Sequence, residues 1–337
     1  MIRRPALAAA AAAVLLIAAV IAAFAIGRFP ISPGELAALV WAKLTGGAHG
    51  LSPTAETVLF QIRGPRVVAA LMVGAALAAS GAAYQNLFRN PLVSPDILGV
   101  SAGAALGATL GIFFSLDLWW IQGFAFAFGL GAVAGVYLIG QAVKGHDPIL
   151  VLILAGVVIG ALLGSVLALL KYLADPYNQL PAITFWLLGS LAATNMSDIA
   201  TTLLPVLIGL VPLWLLRWRM NLMALGDEEA KALGVNVLRV RLTVIAAATL
   251  MTAAVVSISG IIGWIGLLVP HFARLLAGPN FTRLLPVSVL LGAAFLLLVD
   301  TLARTVARIE VPLGVLTAFI GTPFFIWLLA TARRSWQ

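Results

Sequence analysis

Long apolar runs follow one another along this chain, and no polar block separates them. Of the 337 residues, 62% are hydrophobic and 9% carry a charge, whereas soluble globular domains have roughly 25% charged residues. A run of about 20 apolar residues is long enough to cross the hydrocarbon core of a bilayer as an α-helix. The sequence therefore predicts an all-α membrane protein with one polytopic domain over residues 1–337.

The apolar runs predict about ten transmembrane helices. The first, residues 6–27, follows Arg3 and Arg4. We interpret it as an uncleaved helix, because it is long for a signal peptide and further spans follow. A cleaved signal ending at Ala23-Phe24-Ala25 is the alternative. The other spans are predicted at 66–86, 92–114, 119–141, 149–171, 198–216, 238–258, 261–276, 284–303 and 311–331.

The basic residues indicate the orientation. If both termini are cytoplasmic, thirteen of the twenty Lys and Arg residues lie inside and seven outside, as the positive-inside rule expects. Residues 28–57 then form an external loop and residues 217–240 lie inside. The scattered charges form no basic stripe, which argues against binding to nucleic acid. The chain has no cysteine, so disulfides and thiolate metal sites are excluded.

The segment 172–197 does not fit a simple loop, because Pro176 and Pro181 are followed by an apolar piece, Ile183 to Leu191, that is too short to span. We predict an external re-entrant or interfacial helix, a kind of structure tolerated at membrane depth where it lines a cavity. A short amphipathic surface helix is the alternative.

Glycines spaced by four predict close helix packing in two spans. The dipeptide Ser-Gly also recurs five spans apart, at Ser80-Gly81 and Ser259-Gly260. This weak internal repeat is of the kind found in the inverted repeats of many transporters. The striped glycines are Gly99, Gly103, Gly107 and Gly111 in the third span, and Gly156, Gly160 and Gly164 in the fifth.

Several motifs resemble the permease family of ABC importers for iron–siderophore complexes, haem and vitamin B12, called the FecCD or BtuC type. The resemblance covers the chain from about residue 58 onward. It is carried by Gln61-Ile-Arg-Gly-Pro-Arg66, the stretch from Gln85 to Ala104, Leu225-Gly-Asp-Glu-Glu-Ala-Lys-Ala-Leu-Gly234, the stretch from Ser259 to Arg274, and the stretch from Val311 to Pro323.

The resemblance implies a type II importer permease of ten helices with inverted repeats in the bacterial cytoplasmic (inner) membrane. Its expected partners are a second permease subunit in a homodimer, two ATP-binding cassette subunits and a periplasmic or lipid-anchored binding protein. The chain contains no Gly-x-x-x-x-Gly-Lys-[Ser/Thr] phosphate loop. ATP and Mg²⁺ are therefore expected on the partner ATPase, with no cofactor and no catalytic residue here.

A charged cytoplasmic segment, residues 220–236, is predicted to contact that ATPase. Acids after Gly226 and a base before Gly234 indicate a short helix with charges that match its dipole. The family implies that it is the coupling helix, with Gly226, Asp227, Glu228, Glu229, Lys231 and Gly234 in it; Leu222, Met223, Leu225, Leu233 and Val235 are predicted as its apolar contacts. An ordinary capped loop helix is the alternative.

Three external arginines, Arg63, Arg66 and Arg304, match family positions that face acidic residues of the binding protein. Anchoring of helix ends at the membrane interface is the alternative. Exposed ion pairs of this kind act more on orientation and encounter rate than on affinity.

Four polar residues are predicted to line the translocation path: Gln85, Asn86, Ser165 and Tyr172. No metal site is predicted, because His271 has no second ligand within helical reach. Asp300 is predicted to pair with Arg304 four residues on.

The cargo is expected to be a ferric siderophore or haem, with vitamin B12 or molybdate/tungstate as the alternative. A passive channel and a membrane enzyme are the other function classes, although neither a charged ring nor a catalytic constellation is evident.

Overall fold

The computed structural model describes residues 5–27, 32, 34–35, 38, 41–42, 45–46, 52–143 and 147–331, and this part of the chain consists of helices joined by turns and loops, without a strand. Two non-α segments occur, a π-helical turn at Val58–Arg63 and a 3₁₀ turn at Pro95–Leu98. The α-helices are α1 (Pro5–Ala25), α2 (Pro53–Thr57), α3 (Gly64–Leu87), α4 (Val100–Phe113), α5 (Leu118–Ala142), α6 (Pro148–Leu173), α7 (Gln179–Leu188), α8 (Met196–Met223), α9 (Asp227–Ala232), α10 (Val237–Ser259), α11 (Ile265–Ala277), α12 (Phe281–Thr305) and α13 (Leu313–Thr331).

Seven helical stretches in the described residues are long and apolar enough to cross a membrane: α1, α2 with α3, α5, α6, α8, α10 and α12. Four shorter apolar helices accompany them, α4, α7, α11 and α13. The protein is therefore a multi-pass membrane protein. Each predicted span overlaps one of these helices, while the total of ten crossings and the re-entrant course of α7 stay predictions.

Two predicted boundaries are wrong. The third span does not begin at residue 92, because Pro95 starts a 3₁₀ turn and Gly99 has a left-handed φ of 81°. The helix α4 begins only after that turn. The second span begins earlier than residue 66, since helical structure runs without a break from Pro53 to Leu87.

The interior of the fold consists of α3, α10 and α12. In their apolar windows, 78%, 72% and 67% of residues are buried, against 17% to 28% in α1, α5, α6 and α8. The peripheral helices expose apolar side chains, as helices facing lipid do. The core helix α3 comes closest to its neighbours at two glycines, because a Cβ on Gly74 would overlap the carbonyl of Gly292 and one on Gly81 that of Gly266.

The predicted glycine packing is confirmed in α4 and only partly in α6. Gly103, Gly107 and Gly111 lie against the backbone of α5, and Gly156 lies against the carbonyl of Ile97. Gly160 and Gly164 have no close neighbour within the single chain, because a Cβ on either would meet nothing within 4 Å. The stripe in α6 therefore leaves these two glycines uncovered in the single chain.

Several sequence predictions fall outside the described residues. They include most of the external loop 28–57 and the terminal arginines Arg3, Arg4, Arg333 and Arg334. The orientation of the chain therefore stays a prediction.

Substitution of Gly81 tests the packing of α3 on α11. We expect Gly81→Ala to destabilise the protein by roughly 1–3 kcal/mol, because the new methyl overlaps a backbone carbonyl that cannot rotate away. The matched control is Gly131→Ala on α5, where a Cβ meets nothing within 4 Å. The midpoint of thermal unfolding in detergent is the measurement, and equal midpoints for the two variants would contradict the contact.

Candidate functional site

The short helix α9 forms within the segment predicted to contact an ATPase. It begins after Gly226, whose φ of 136° suits only glycine, and it ends before Gly234, whose φ is 81°. Lys231 Nζ donates to Glu228 Oε1 at 2.8 Å, and both side chains are exposed. The acids thus lie at the positive end of the helix and the base near its negative end.

An ion pair holds α9 to α10. Arg241 Nη2 lies 2.7 Å from Asp227 Oδ2, and the arginine side chain is 10% exposed. Asp227 is the first residue of α9, while Arg241 is the fifth residue of α10. The two helices are therefore joined by charge where the chain turns between them.

The apolar flank of this segment is only partly as predicted. Leu225 and Leu233 are exposed at 59% and 57%, and Leu238 at the start of α10 is exposed at 60%. Met223 and Val235 are buried, with exposed fractions of 2% and 7%, so their prediction as external contacts is wrong. Both side chains pack into the hydrophobic core of the bundle, on the inner side of α9.

A cluster of charges lies at the other end of the bundle, around Arg66. Its guanidinium donates from Nε to Asp300 Oδ1 at 2.8 Å and from Nη1 to Glu310 Oε2 at 2.9 Å. The predicted pair of Asp300 with Arg304 is also present, with 3.1 Å between Arg304 Nε and Asp300 Oδ2. Asp300 is fully buried and therefore depends on these cations.

Glu310 belongs to the loop between α12 and α13 and extends the cluster. Burial alone would raise the pKa of Glu310, but the hydrogen bonds and charge of Arg66 outweigh burial, so the pKa lies below its ordinary value. Ser190, after α7, donates a longer hydrogen bond of 3.4 Å to this carboxylate. Glu310 thus stays ionised and connects Arg66 to the end of α7.

The three predicted docking arginines lie around one cleft of about 490 Å³, together with Arg308. The expectation that they are exposed is wrong, since Arg63 and Arg66 are exposed by only 5% and 7% and the side chain of Arg304 by 12%. Arg63 Nη1 donates to the carbonyl of Phe24 at 2.6 Å and so holds the end of α1. Docking and anchoring at the membrane interface both stay predictions, while the contact that the structure shows for Arg63 is within the bundle.

The four predicted path residues do not come together. Gln85 is buried, with an exposed fraction of 2%. Its side chain donates to the carbonyl of Leu267 at 3.0 Å and accepts from Arg274 at 2.9 Å. Its neighbour Asn86 is half-buried, whereas Ser165 and Tyr172 lie on the exposed face of α6. In the single chain, Gln85 connects α3 to α11, and a role in the path stays a prediction for all four.

The short helix α7 ends against the end of α10. The N–H of Ser190 donates to the carbonyl of Ser259 at 2.8 Å, and a Cβ on Gly260 would overlap the carbonyl of Trp186. The N–H of Leu313 donates to the carbonyl of Gly189 at 3.0 Å. The end of α7 is therefore held between α10 and α13.

His271 packs against an aromatic ring. Its imidazole lies 6.2 Å from the ring of Phe324, centroid to centroid. Within the described ranges, no three His, Cys, Asp or Glu side chains lie close enough together to hold a metal ion.

Sequence inspection missed Glu310 and the partnership of Arg241. Glu310 is a lone acid in a short loop and matches no motif. Arg241 carried a signal, because a cation near the N-terminus of a helix opposes the helix dipole and needs a compensating acid. Which acid compensates it could not be known before the fold.

Comparisons with known proteins agree over almost the whole chain. Residues 15–331 match the model of the FecCD transport family. The molybdate import system permease protein MolB of Haemophilus influenzae is 42% identical over 310 residues, covering 92% of this chain and 91% of that protein. A probable iron chelatin transport system permease protein of Helicobacter pylori is 41% identical over 276 residues, covering 82% and 83%.

A solved structure of an inward-facing metal-chelate type ABC transporter superposes with a TM-score of 0.86 at 39% identity. The overlap covers 96% of this chain and 98% of that one.

Removal of the Asp300 charge tests the buried cluster. We expect Asp300→Asn to destabilise the protein by roughly 3–5 kcal/mol, because loss of one partner leaves buried arginine charge uncompensated. The control is Glu228→Gln, which breaks an exposed pair and should leave the midpoint unchanged. Thermal unfolding in detergent distinguishes them. If Asp300→Asn unfolded at the same temperature as the control, the cluster would not be a stabilising one.

Proposed function

The chain belongs to the FecCD transport family and is the permease subunit of an ABC importer, and we propose that its cargo is a metal chelate, with a ferric siderophore before haem. The superposition on a metal-chelate type transporter over 96% of the chain supports this assignment most directly. The iron chelatin permease relative supports the same class of cargo. The protein would move this cargo into the cell across the bacterial inner membrane, with both termini in the cytoplasm.

Molybdate is the second candidate cargo. The relative MolB aligns over 91% of its own length at 42% identity, which is a longer alignment than that of the iron chelatin relative at similar identity. The exposed face of α6 does not discriminate between the two, because Lys171 is its one charged residue. A path lined by such an apolar face would bind neither cargo tightly, so the binding protein would select the cargo.

A homodimer is the proposed working unit. The face of α6 with Gly160 and Gly164 is uncovered, and Leu154 and Val157 beside it are exposed at 55% and 60%. Small residues on an apolar helix allow another helix to approach closely. This face therefore suits a second copy of the chain at the translocation path.

The energy source is proposed to be a pair of ATPase subunits that dock on α9. The helix presents Glu228 and Glu229 beside the exposed Leu225 and Leu233. An apolar patch with charges at its rim is typical of protein interfaces. ATP hydrolysis by the docked subunits would then drive the permease.

Uptake by reconstituted importer tests the proposal. Proteoliposomes containing the chain, its ATPase and its binding protein should accumulate a radioactive ferric siderophore only when ATP is present, and more of it than radioactive molybdate. Accumulation of molybdate instead would transfer the assignment to the second candidate. Uptake of either solute without ATP would contradict an importer and favour a channel.

The control for coupling is the double variant Glu228→Lys, Glu229→Lys. It reverses two charges on the exposed face of α9, so the protein should still fold and insert. ATP-driven uptake should fall to the level measured without ATP. Full uptake by this variant would argue against α9 as the docking helix.

The cleft around Arg63 and Arg304 is proposed as the docking site for acidic groups of the binding protein. Four arginines and one glutamate line it, which leaves a net positive surface. None of the three predicted residues is free, because Arg66 bonds Asp300 and Glu310, Arg63 bonds the carbonyl of Phe24, and Arg304 pairs with Asp300. We therefore assign encounter with the binding protein to the net positive charge of the cleft, to which Arg63 and Arg304 contribute.

Association kinetics test the docking site. The double variant Arg63→Gln, Arg304→Gln should slow association with the binding protein roughly two- to tenfold and reduce its salt dependence. Lys171→Gln is the matched control, because it removes a charge at the same end of the bundle but outside the cleft. Rates measured at two ionic strengths decide, and a salt slope equal to that of the control would reject docking in this cleft.

A further inference from the structure

The ion pair between Asp227 and Arg241 lies where electrostatics alone would not place an arginine. Arg241 is near the N-terminus of α10, which is the positive end of the helix dipole, and only 8% of the residue is exposed. A buried cation in such a place needs a counter-charge. Asp227 supplies it at 2.7 Å, and Asp227 is also the first residue of α9, where the helix dipole favours a negative charge. One carboxylate thus joins two helices that the chain connects only through a turn.

The helix α10 is suited to carry a displacement over its whole length. Its 23 residues contain no glycine and no proline, which are the usual causes of kinks. At about 1.5 Å per residue it is roughly 34 Å long, about the thickness of a bilayer core. Among the helices of spanning length, only α1 shares this composition beyond its first residue; α3, α5, α6, α8 and α12 each contain glycine, proline or both.

Side-chain contacts fasten α10 to the core helix α3. The hydroxyls of Tyr84 and Thr249 lie 2.9 Å apart, and Ser80 donates to the carbonyl of Ala248 at 3.2 Å. All three side chains named here are buried. A displacement of the N-terminal part of α10 therefore moves α10 together with α3 and does not bend α10 alone.

The far end of α10 contacts the backbone of α7. Ser190 donates to the carbonyl of Ser259, the last residue of α10, at 2.8 Å. Gly260 follows with a φ of 67°, and a Cβ there would overlap the carbonyl of Trp186 in α7. Because backbone meets backbone without a flexible side chain between, a shift of α10 along its axis displaces the end of α7.

We propose that Asp227 and Arg241 are the positioning residues that make α10 follow α9, so that ATPase movement at α9 reaches α7 at the opposite side of the membrane. The inference rests on the proposed docking of the ATPase on α9. Without the ion pair, α9 would tilt on its two glycine ends, Gly226 and Gly234, and α10 would stay in place. ATP would then be hydrolysed without displacement of α7.

The chain itself, which has no cysteine, provides the probe. Ala192, exposed in the turn after α7, is replaced by cysteine, and its labelling rate by a maleimide is measured in nanodiscs with the ATPase bound. Rates are compared without nucleotide and with ATP plus vanadate. The variants are Asp227→Asn, Arg241→Gln, and the charge swap Asp227→Arg with Arg241→Asp. Arg239→Gln, an exposed arginine two residues from Arg241, is the matched control.

We expect the labelling rate to depend on nucleotide in the parent protein and in Arg239→Gln. In Asp227→Asn and Arg241→Gln, the ATPase should stay bound and hydrolyse ATP, while the nucleotide effect on labelling falls about two- to thirtyfold. The charge swap should restore it. An ion pair that only stabilises the fold predicts a different result, with labelling altered to the same extent with and without nucleotide in the neutral variants.

Three outcomes would overturn the inference. Neutral variants that respond to nucleotide as the parent does would show that the ion pair is not needed. Neutral variants that fail while the swap also fails would show that the charge pairing is not the cause. A parent protein that hydrolyses ATP without any change at residue 192 would reject the route through α10. Absence of ATPase binding to the parent protein is distinguishable from all three, and it would reject the proposed function together with the inference.

Discussion

The close approach of α3 to its neighbours at glycine sets the geometry on which the rest of the structure depends. Gly74 meets Gly292 backbone to backbone, so the antiparallel helices α3 and α12 are fixed in register. Eight residues from each glycine in the opposite directions along the chain, Arg66 meets Asp300. The contact of Gly81 with Gly266 likewise holds α3 against α11, where Gln85 bonds Arg274. Close contacts at these four glycines thus decide which polar groups can pair.

Charge placement divides the molecule into two functional ends. At one end Arg66, Arg304, Asp300 and Glu310 neutralise one another within a cleft, and the lowered pKa of Glu310 keeps its carboxylate charged there. At the other end, α9 exposes acids, and Leu225 and Leu233 on either side of it are more than half exposed. Buried charges need partners, whereas exposed charges do not. The paired charges at the first end therefore stabilise the fold and leave only the excess positive charge of the cleft for the proposed docking, whereas the exposed charges at the second end are available to another protein.

The helices could be predicted from the sequence because lipid leaves the backbone few choices. With no water to bond its N–H and C=O groups, a chain that crosses a bilayer must form helices or closed barrels. That constraint explains why each predicted span overlaps a helix. It does not determine where a helix begins, which depends on local turns such as Pro95 and Gly99. It also does not say which glycines are covered, and Gly103 and Gly160 look alike in sequence but differ in their neighbours.

Composition, spacing and motif by themselves determined the all-α membrane fold, the family and the short charged helix at 227–232. These features depend on residues that are close in the chain or on a pattern shared with relatives. Only the tertiary structure decided that Arg66 holds Asp300 and Glu310, that Gln85 lies inside the bundle, and that Arg241 holds Asp227. Each of these contacts depends on helix register and burial, because a side chain can pair only with the group that packing brings within about 3 Å.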